Sequence, residues 1–217
     1  MQTPSKPVAS LADRKRHLVR ETILDAAERL VRSGAGGDLT MRALAEEAGV
    51  SLTTPFKHFG SKAGILAGLM DRMFEGIAER YGNALPCDDP VSRLFSMGRA
   101  GVQIILSDPK YYRYICRSIA TEGDLDDAIA VRWRAEQLWR LALASDSFPR
   151  DDIAGLYETY VPQQLGVVFR GVLIMWVTGE VADAKFARAI ETSLAGVMLG
   201  LVEDRQRPNL LTRLATF

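Results

Sequence analysis

Apolar side chains recur along this chain with the period of an α-helix, and this pattern is what most constrains its fold. In the first clear segment the apolar positions are Ile23, Ala26, Ala27, Leu30 and Val31. The spacing i, i+3, i+4, i+7, i+8 places them on one face of an amphipathic helix. Similar patterns fill the rest of the chain, without convincing strand alternation. The sequence therefore predicts an all-α fold of about nine helices.

Capping and breaking residues delimit these helices. The predicted helices cover about 15–32, 41–48, 51–59, 62–83, 91–107, 109–121, 124–144, 151–178 and 183–205. Asp108 stands before a proline at the first helical position, which is a typical start of a helix. Pro162 is expected to kink or divide the helix in which it falls. Pro208 follows the end of the last predicted helix.

Composition excludes several classes of protein. A chain of 217 residues, 47% apolar and 25% charged, is an ordinary globular chain of one large or two small domains. Two cysteines without metal-binding spacing and two histidines predict no metal site, and no cofactor is expected. A start rich in Pro, Ser and Lys predicts a disordered tail over 1–13. The longest apolar runs fall short of the roughly 18–20 residues of a membrane span, so we expect a cytoplasmic protein.

The charges are distributed unevenly although 27 basic and 27 acidic residues give a formal net charge of zero. Residues 1–62 hold ten basic and seven acidic side chains, whereas residues 63–217 hold 17 and 20. Arg14, Lys15 and Arg16 adjoin one another, and Arg20 follows without an intervening acid. Such a cluster is typical of a solvated helix face and also of a surface that faces nucleic acid. Overall neutrality therefore argues only against an indiscriminate polycation.

Residues 40–59 have the pattern of a helix-turn-helix, in which two helices meet steeply across a short turn. Ala45 is small where the helices approach, Gly49 suits the positive φ of the turn, and Val50 is expected to bury against Leu44. The second helix of such a motif enters the major groove of DNA. Its polar residues are Thr53, Thr54, Lys57 and His58, of which threonine suits base edges and the basic residues suit phosphates.

The stretch from Ile23 to Leu66 resembles the TetR family of one-component transcriptional regulators. The similarity consists of Ile-Leu-Asp-Ala-Ala from residue 23, Leu-Ala-Glu-Glu-Ala-Gly-Val-Ser at 44–51, and Phe56 shortly before His-Phe-Gly-Ser-Lys at 58–62. The resemblance implies a helix-turn-helix DNA-binding domain over 14–62. It also implies that residues 63–217 form a helical domain for effector binding and dimerisation.

The same resemblance implies roles for individual residues of the first domain. Phosphates would be contacted by Thr40 and Arg42, base edges by Leu52, Thr53 and Thr54, and the DNA backbone by Phe56, His58 and Lys62. Phe56 has an alternative role in the core, and Phe59 is expected to be a core residue. Pro55 departs from the common Leu or Ile, so the recognition helix is expected to start at Thr54. Leu52 replaces a frequent basic residue.

The second domain holds 15 of the 17 aromatic side chains, which suit an apolar pocket. Its candidate ligand contacts are Arg99, Tyr111, Tyr114, Arg117, Trp133 and Trp176. Ordinary core or solvated positions remain the alternative for each of them. The segments 160–178 and 183–203 are apolar and hold small residues, so they are expected either to pair with a second copy or to be buried within the monomer.

The sequence therefore predicts a ligand-responsive transcriptional regulator that binds a palindromic DNA operator as a homodimer. Repression, relieved by a small-molecule effector, is the expected mode, and activation is the other. No nucleophile–base motif, such as Gly-x-Ser-x-Gly or His-Glu-x-x-His, supports an enzyme. The remaining alternatives are an all-α enzyme or a protein-interaction module with a non-functional helix-turn-helix.

Overall fold

All regular secondary structure is helical in the part of the chain that the computed structural model describes, residues 10–34, 39–84, 90–122, 125–143, 159–204 and 206–215. The ten helices of these residues are α1 (Leu11–Arg32), α2 (Met41–Glu47), α3 (Thr53–Phe59), α4 (Lys62–Gly82), α5 (Pro90–Ser107), α6 (Pro109–Glu122), α7 (Leu125–Leu143), α8 (Tyr160–Thr178), α9 (Asp183–Leu199) and α10 (Arg207–Ala215). The predicted all-α fold is confirmed, with one helix more than expected.

The chain divides into two compact units, Met1–Leu69 and Met70–Phe217. The N-terminal unit contains α1, α2, α3 and the beginning of α4, and the C-terminal unit contains the rest of α4 and the later helices. The functional boundary that the sequence suggests, after Lys62, stays a prediction.

The first helix begins at Leu11, four residues before the predicted start, so residues 11–13 of the expected tail are helical. The Ser10 side chain caps it by accepting a hydrogen bond from the Asp13 backbone N–H at 3.1 Å. The predicted apolar face is present, since Ile23, Ala26 and Ala27 are fully buried.

In the N-terminal unit, α1 packs against α2, and α4 comes close to α1 and α3 at Gly68. A Cβ atom at this glycine would lie 2.9 Å from Leu24 Cδ2 and 3.2 Å from Phe59 Cε1. The missing side chain therefore allows residues of α1 and α3 to lie directly against α4.

The core of the C-terminal unit is built around α5, which packs against α6, α7 and α9, while α8 packs against α6, α7 and α9. Two glycines of α5 leave room for side chains of α9 and α8. A Cβ atom at Gly98 would lie 2.7 Å from Leu194 Cδ1, and one at Gly101 would lie 2.9 Å from Phe169 Cζ. The ends of these side chains occupy the space that a larger residue on α5 would need.

The start of α6 confirms the predicted Asp-Pro signal, because Asp108 Oδ1 accepts a hydrogen bond from the Tyr111 N–H at 3.2 Å. The first part of the helix predicted over 151–178 lies outside the described residues. Within them, α8 begins at Tyr160 and Pro162 occupies its first turn. Proline is tolerated there because that backbone N–H has no intrahelical partner.

The additional helix is α10, beyond the residue at which the sequence predicted that helical structure ends. Pro208 is the second residue of α10, so it lies in the first turn rather than terminating a helix. Leu210 is fully buried, and the Arg213 guanidinium lies 4.2 Å above the Phe95 ring. Packing against α9 and α5 thus stabilises a segment of low intrinsic hydrophobicity.

One helix, α8, is long and apolar enough by length and composition to cross a membrane, and a third of its 18-residue window is buried. This finding does not conflict with the expectation that the uninterrupted apolar runs are shorter than a membrane span. Arg170 interrupts the apolar run in the sequence but not the helix. Core helices of soluble proteins have the same length and composition.

We predict different stability effects for two glycine substitutions. Gly76→Ala should raise the free energy of unfolding by about 0.5–1 kcal/mol, because alanine is the better helix former. Its Cβ would meet Ile104 Cδ1 at an ordinary 3.5 Å. Gly98→Ala should gain less or lose stability, because Leu194 has to move. Chemical denaturation measures both, and equal gains would contradict the close crossing of α5 and α9.

Candidate nucleic-acid interface

The helices α2 and α3 are joined by a tight turn whose geometry follows from three residues. The Thr40 hydroxyl caps α2 by accepting a hydrogen bond from the Ala43 N–H at 3.1 Å. Gly49 has a φ of 65°, which L side chains adopt rarely. The Val50 N–H then donates to the Ala45 carbonyl at 3.0 Å. Val50, which was expected to bury against Leu44, is half-buried.

The recognition helix α3 begins at Thr53, one residue before the predicted start. The Thr54 N–H donates to the Ser51 carbonyl at 2.9 Å, and the Ser51 hydroxyl lies 2.8 Å from the Thr54 hydroxyl. Pro55 is the third residue of the helix and is buried. The backbone N–H groups of the first turn have no intrahelical partners, so proline here removes no helical hydrogen bond.

Four of the predicted DNA-contacting residues share one exposed face of α3. Leu52, Thr53, Phe56 and Lys57 are exposed and follow the spacing i, i+1, i+4, i+5. Leu52 and Phe56 are 52% and 49% exposed, so neither fills the core. A face with two large apolar side chains, a hydroxyl and a cation suits contact with bases, sugars and phosphates.

The other predicted contacts lie at the ends of neighbouring helices. Arg42 in the first turn of α2 has an exposed side chain, and its Nε lies 3.1 Å from Glu46 Oε1. Such a surface ion pair contributes little to stability, so it leaves Arg42 able to exchange partners. Thr40 is exposed and Lys62 is half-buried at the first position of α4.

His58 lies near the end of α3 and is half-buried. Burial lowers the pKa of its imidazole, and the neighbouring charges of Arg20, Lys57 and Arg16 lower it further. The neutral form is therefore favoured near neutral pH. His58 adds hydrogen-bonding capacity to this surface rather than a fixed positive charge.

Arg20 is the functional residue that sequence reasoning missed, because it was grouped with the basic cluster. Its Nη1 donates to the His58 carbonyl at 2.6 Å, and its guanidinium lies 4.1 Å above the Phe59 ring. Arg20 thus caps the C-terminal end of α3 from α1. A signal was present: Arg20 precedes the buried Ile23 and Leu24 by three and four residues, which places it on the buried face of α1.

The structure distributes the predicted ligand contacts over several places in the C-terminal unit. Tyr114 and Arg117 line one groove along α6, whereas Arg99 lines a cavity between α5 and α9. Tyr111 is buried in the core. Trp133 is 56% exposed on α7. None of these locations tests whether the residues bind a ligand.

Trp176, the sixth of these residues, is fully buried at the end of α8, where it stacks with Phe186. Its indole N–H donates to Asp183 Oδ1 at 2.8 Å, and the Arg113 guanidinium lies over its ring and pairs with Asp183. The hydrogen bond from Trp176 and then that from Arg113 lower the pKa of Asp183. These contacts join α6, α8 and the first residue of α9.

The geometry defines a class of protein. A capped helix, a glycine turn and a short second helix with an exposed polar face form a helix-turn-helix DNA-binding unit. In the described part of the chain, no three side chains of His, Cys, Asp or Glu gather as a metal site.

Comparison with known proteins agrees with this class. The family of bacterial regulatory proteins, tetR family, matches residues 23–69. The transcriptional repressor KstR of Rhodococcus jostii is 26% identical over 87% of this chain and 85% of its own length. The regulatory protein RaaS of Mycobacterium tuberculosis is 33% identical over 53% of this chain, and the match spans 47% of that relative. A TetR regulator from Rhodococcus sp. RHA1 has a TM-score of 0.66 and 19% identity, over 88% of this chain and 99% of its own.

The match at residues 23–69 and the similarity to these regulators support a transcriptional regulator of the TetR family. These relatives are transcriptional regulators, and regulators of this family are not enzymes.

Arg20→Gln should lower the free energy of unfolding by about 1–2 kcal/mol, since it removes a charged hydrogen bond and a cation–π contact. It should also weaken DNA binding without changing the salt dependence, because Arg20 positions α3 instead of contacting phosphate. Fluorescence anisotropy over a salt series measures this. Arg32→Gln, at an exposed arginine near the other end of the same helix, is the control. A fall of about 0.9 in the log–log slope for Arg20→Gln would show a phosphate contact instead.

Proposed function

We propose that this TetR-family protein is a cytoplasmic, ligand-responsive repressor that binds a palindromic operator as a homodimer and is released by a small-molecule effector. The observation that carries the proposal is the exposed face of α3, where Leu52, Thr53, Phe56 and Lys57 lie side by side. The functional division is DNA binding by 14–62 and effector binding and dimerisation by 63–217.

The proposed interface assigns a different task to each end of α3. At its beginning, the Thr53 and Thr54 hydroxyls suit base edges and the Leu52 side chain suits a thymine methyl group. Toward its end, Phe56 packs against sugar while Lys57 and His58 face the phosphates. Thr40, Arg42 and Lys62 add phosphate contacts from the starts of α2 and α4.

Repression is supported by the similarity to KstR, which is a transcriptional repressor. Release by an effector requires that the effector bind one conformation of the regulator more tightly than the other. The same coupling free energy lowers the affinity for DNA when the effector is bound. Aromatic and arginine side chains of the C-terminal unit supply the chemistry for such a ligand.

Two substitutions on α3 should weaken DNA binding in different ways. Thr53→Ala should reduce affinity for the operator about fivefold to 100-fold and leave the salt dependence unchanged, because a base contact is lost. Lys57→Ala should weaken binding to all sequences and lower the log–log salt slope by about 0.9. Anisotropy with a labelled duplex from upstream of the protein's own gene measures both effects.

Lys185→Gln, an exposed lysine on α9, serves as the control for Lys57→Ala and should bind DNA normally. Failure of the folded protein to bind any fragment of genomic DNA would contradict the proposal. That result would favour the alternative, a protein-interaction module with a non-functional helix-turn-helix.

The dimer is supported by an apolar stripe that α8 leaves exposed. Val167, Ile174 and Met175 are 58%, 45% and 42% exposed. Gly171 lies between them, and a Cβ there would meet no atom within 4 Å; the same holds for Gly196 on α9. Small residues beside exposed apolar ones suit close packing against the same helices of a second copy.

Val167→Glu and Ile174→Glu should each convert the dimer to a monomer, because a carboxylate would be buried in the apolar interface. Ile129→Glu, at an exposed isoleucine of α7, is the control and should leave the dimer intact. Light scattering after gel filtration gives the mass. A wild-type monomer, or stripe variants that remain dimeric, would overturn the proposed interface.

A further inference from the structure

A cavity of about 210 Å³ lies between α5 and α9 in the C-terminal unit. Four of its lining side chains are large and apolar: Phe95 and Val102 come from α5, and Ile190 and Leu194 come from α9. All four side chains are buried, between 1% and 6% exposed. These walls suit a hydrocarbon group and give no hydrogen bond to a polar one.

The cavity exists because small residues line it from both helices. Gly98 lets α5 and α9 touch, since a Cβ there would lie 2.7 Å from Leu194 Cδ1. Ala187 lines the same space from α9 and is exposed. The helices therefore lie close together at Gly98, and Ala187 leaves the space beside this contact open.

The exposed side of the cavity carries charge. Arg99 lies 3.9 Å from Glu191 Oε1 and donates to Ser96 Oγ at 2.9 Å. Arg213 approaches the same carboxylate at 3.0 Å and Arg188 approaches it at 3.9 Å. These side chains place three positive charges around one negative charge. Arg99, whose side chain is 51% exposed, is the guanidinium that lines the cavity itself.

We propose that this cavity binds a small amphipathic carboxylate. Its hydrocarbon chain lies against the apolar walls, and its carboxylate accepts hydrogen bonds from Arg99. A guanidinium has five N–H donors, and in the described part of the chain Arg99 uses one of them on Ser96. The volume is below the roughly 300–1,000 Å³ of pockets for drug-sized ligands, so a chain of about eight carbons is the appropriate size.

The groove along α6 is a weaker site for such a ligand. Its Tyr114 hydroxyl is buried without a hydrogen-bond partner in the described residues. However, Arg113 is held by Asp183, and Arg117 donates to the Val177 carbonyl at 3.2 Å. These arginines stabilise the end of α8, whereas Arg99 combines a cation with an adjoining apolar cavity that is open on one side.

Calorimetric titration of the full-length protein with octanoate, octanol and octyltrimethylammonium tests the headgroup. Octanoate should bind at one saturable site per chain, and the neutral and cationic analogues should bind at least tenfold more weakly. From butyrate to octanoate, affinity should rise roughly fourfold per methylene group. Equal binding of the three headgroups, or no saturable binding of octanoate, would overturn the proposal.

Two variants locate the site. Arg99→Gln should weaken octanoate binding about tenfold, as expected for loss of a charged hydrogen bond. Ala187→Leu fills the cavity from its exposed side and should abolish binding. The matched controls are Lys185→Gln and Ala184→Leu, which alter exposed positions of α9 that do not line the cavity. Binding unaffected by Arg99→Gln and Ala187→Leu would place the ligand elsewhere.

The role of this ligand as the effector rests on the proposed function. Octanoate should then release the wild-type protein from its DNA and should not release Arg99→Gln at the same concentration. The titration contains no DNA, so it tests octanoate binding at the cavity independently of the proposed effector role. Octanoate binding without release from DNA would refute only the effector role.

Discussion

The orientation of the recognition helix depends on contacts from outside it. An isolated helix of seven residues is far below the roughly 12–15 residues that are marginally stable in water, so α3 needs tertiary support. Arg20 supplies it from α1, through a hydrogen bond to the His58 carbonyl and a cation–π contact with Phe59. Gly68 of α4 leaves room for the same phenylalanine. The DNA-facing surface is therefore a property of three packed helices rather than of one.

The helix-turn-helix was predictable because its determinants are local. The Thr40 cap and the positive φ of Gly49 each act within a few residues, so their meaning is visible in the sequence. The predicted start of α3 was Thr54, one residue after the observed start at Thr53, because the first turn accommodates the buried Pro55. Arg20 was missed for the opposite reason. Its acceptor is the carbonyl of His58, 38 residues later, and a pattern of charges does not show a backbone acceptor.

In the C-terminal unit the helices were predictable and their side-chain neighbours were not. Apolar periodicity gave the elements, except α10, where Pro208 suggested an end instead of a first turn. Whether an aromatic side chain is buried or exposed depends on which helices pack against its own helix. The sequence suggested Trp133 and Trp176 equally as candidate ligand contacts. In the structure, Trp133 is 56% exposed, whereas Trp176 is fully buried beside Arg113. For this reason, the predicted ligand contacts lie in several separate parts of the C-terminal unit rather than in one pocket.

The α5–α9 cavity is connected to α10 by two residues that serve both. Phe95 forms part of the apolar wall, and its ring supports the Arg213 guanidinium at 4.2 Å. Glu191 lies on the charged side of the cavity and also pairs with Arg213 at 3.0 Å. A carboxylate bound beside Arg99 would repel Glu191 and compete for the guanidinium groups around it. Because Phe95 and Glu191 contact both the cavity and Arg213, the contacts of α10 are the ones that we expect to change with occupancy of the cavity.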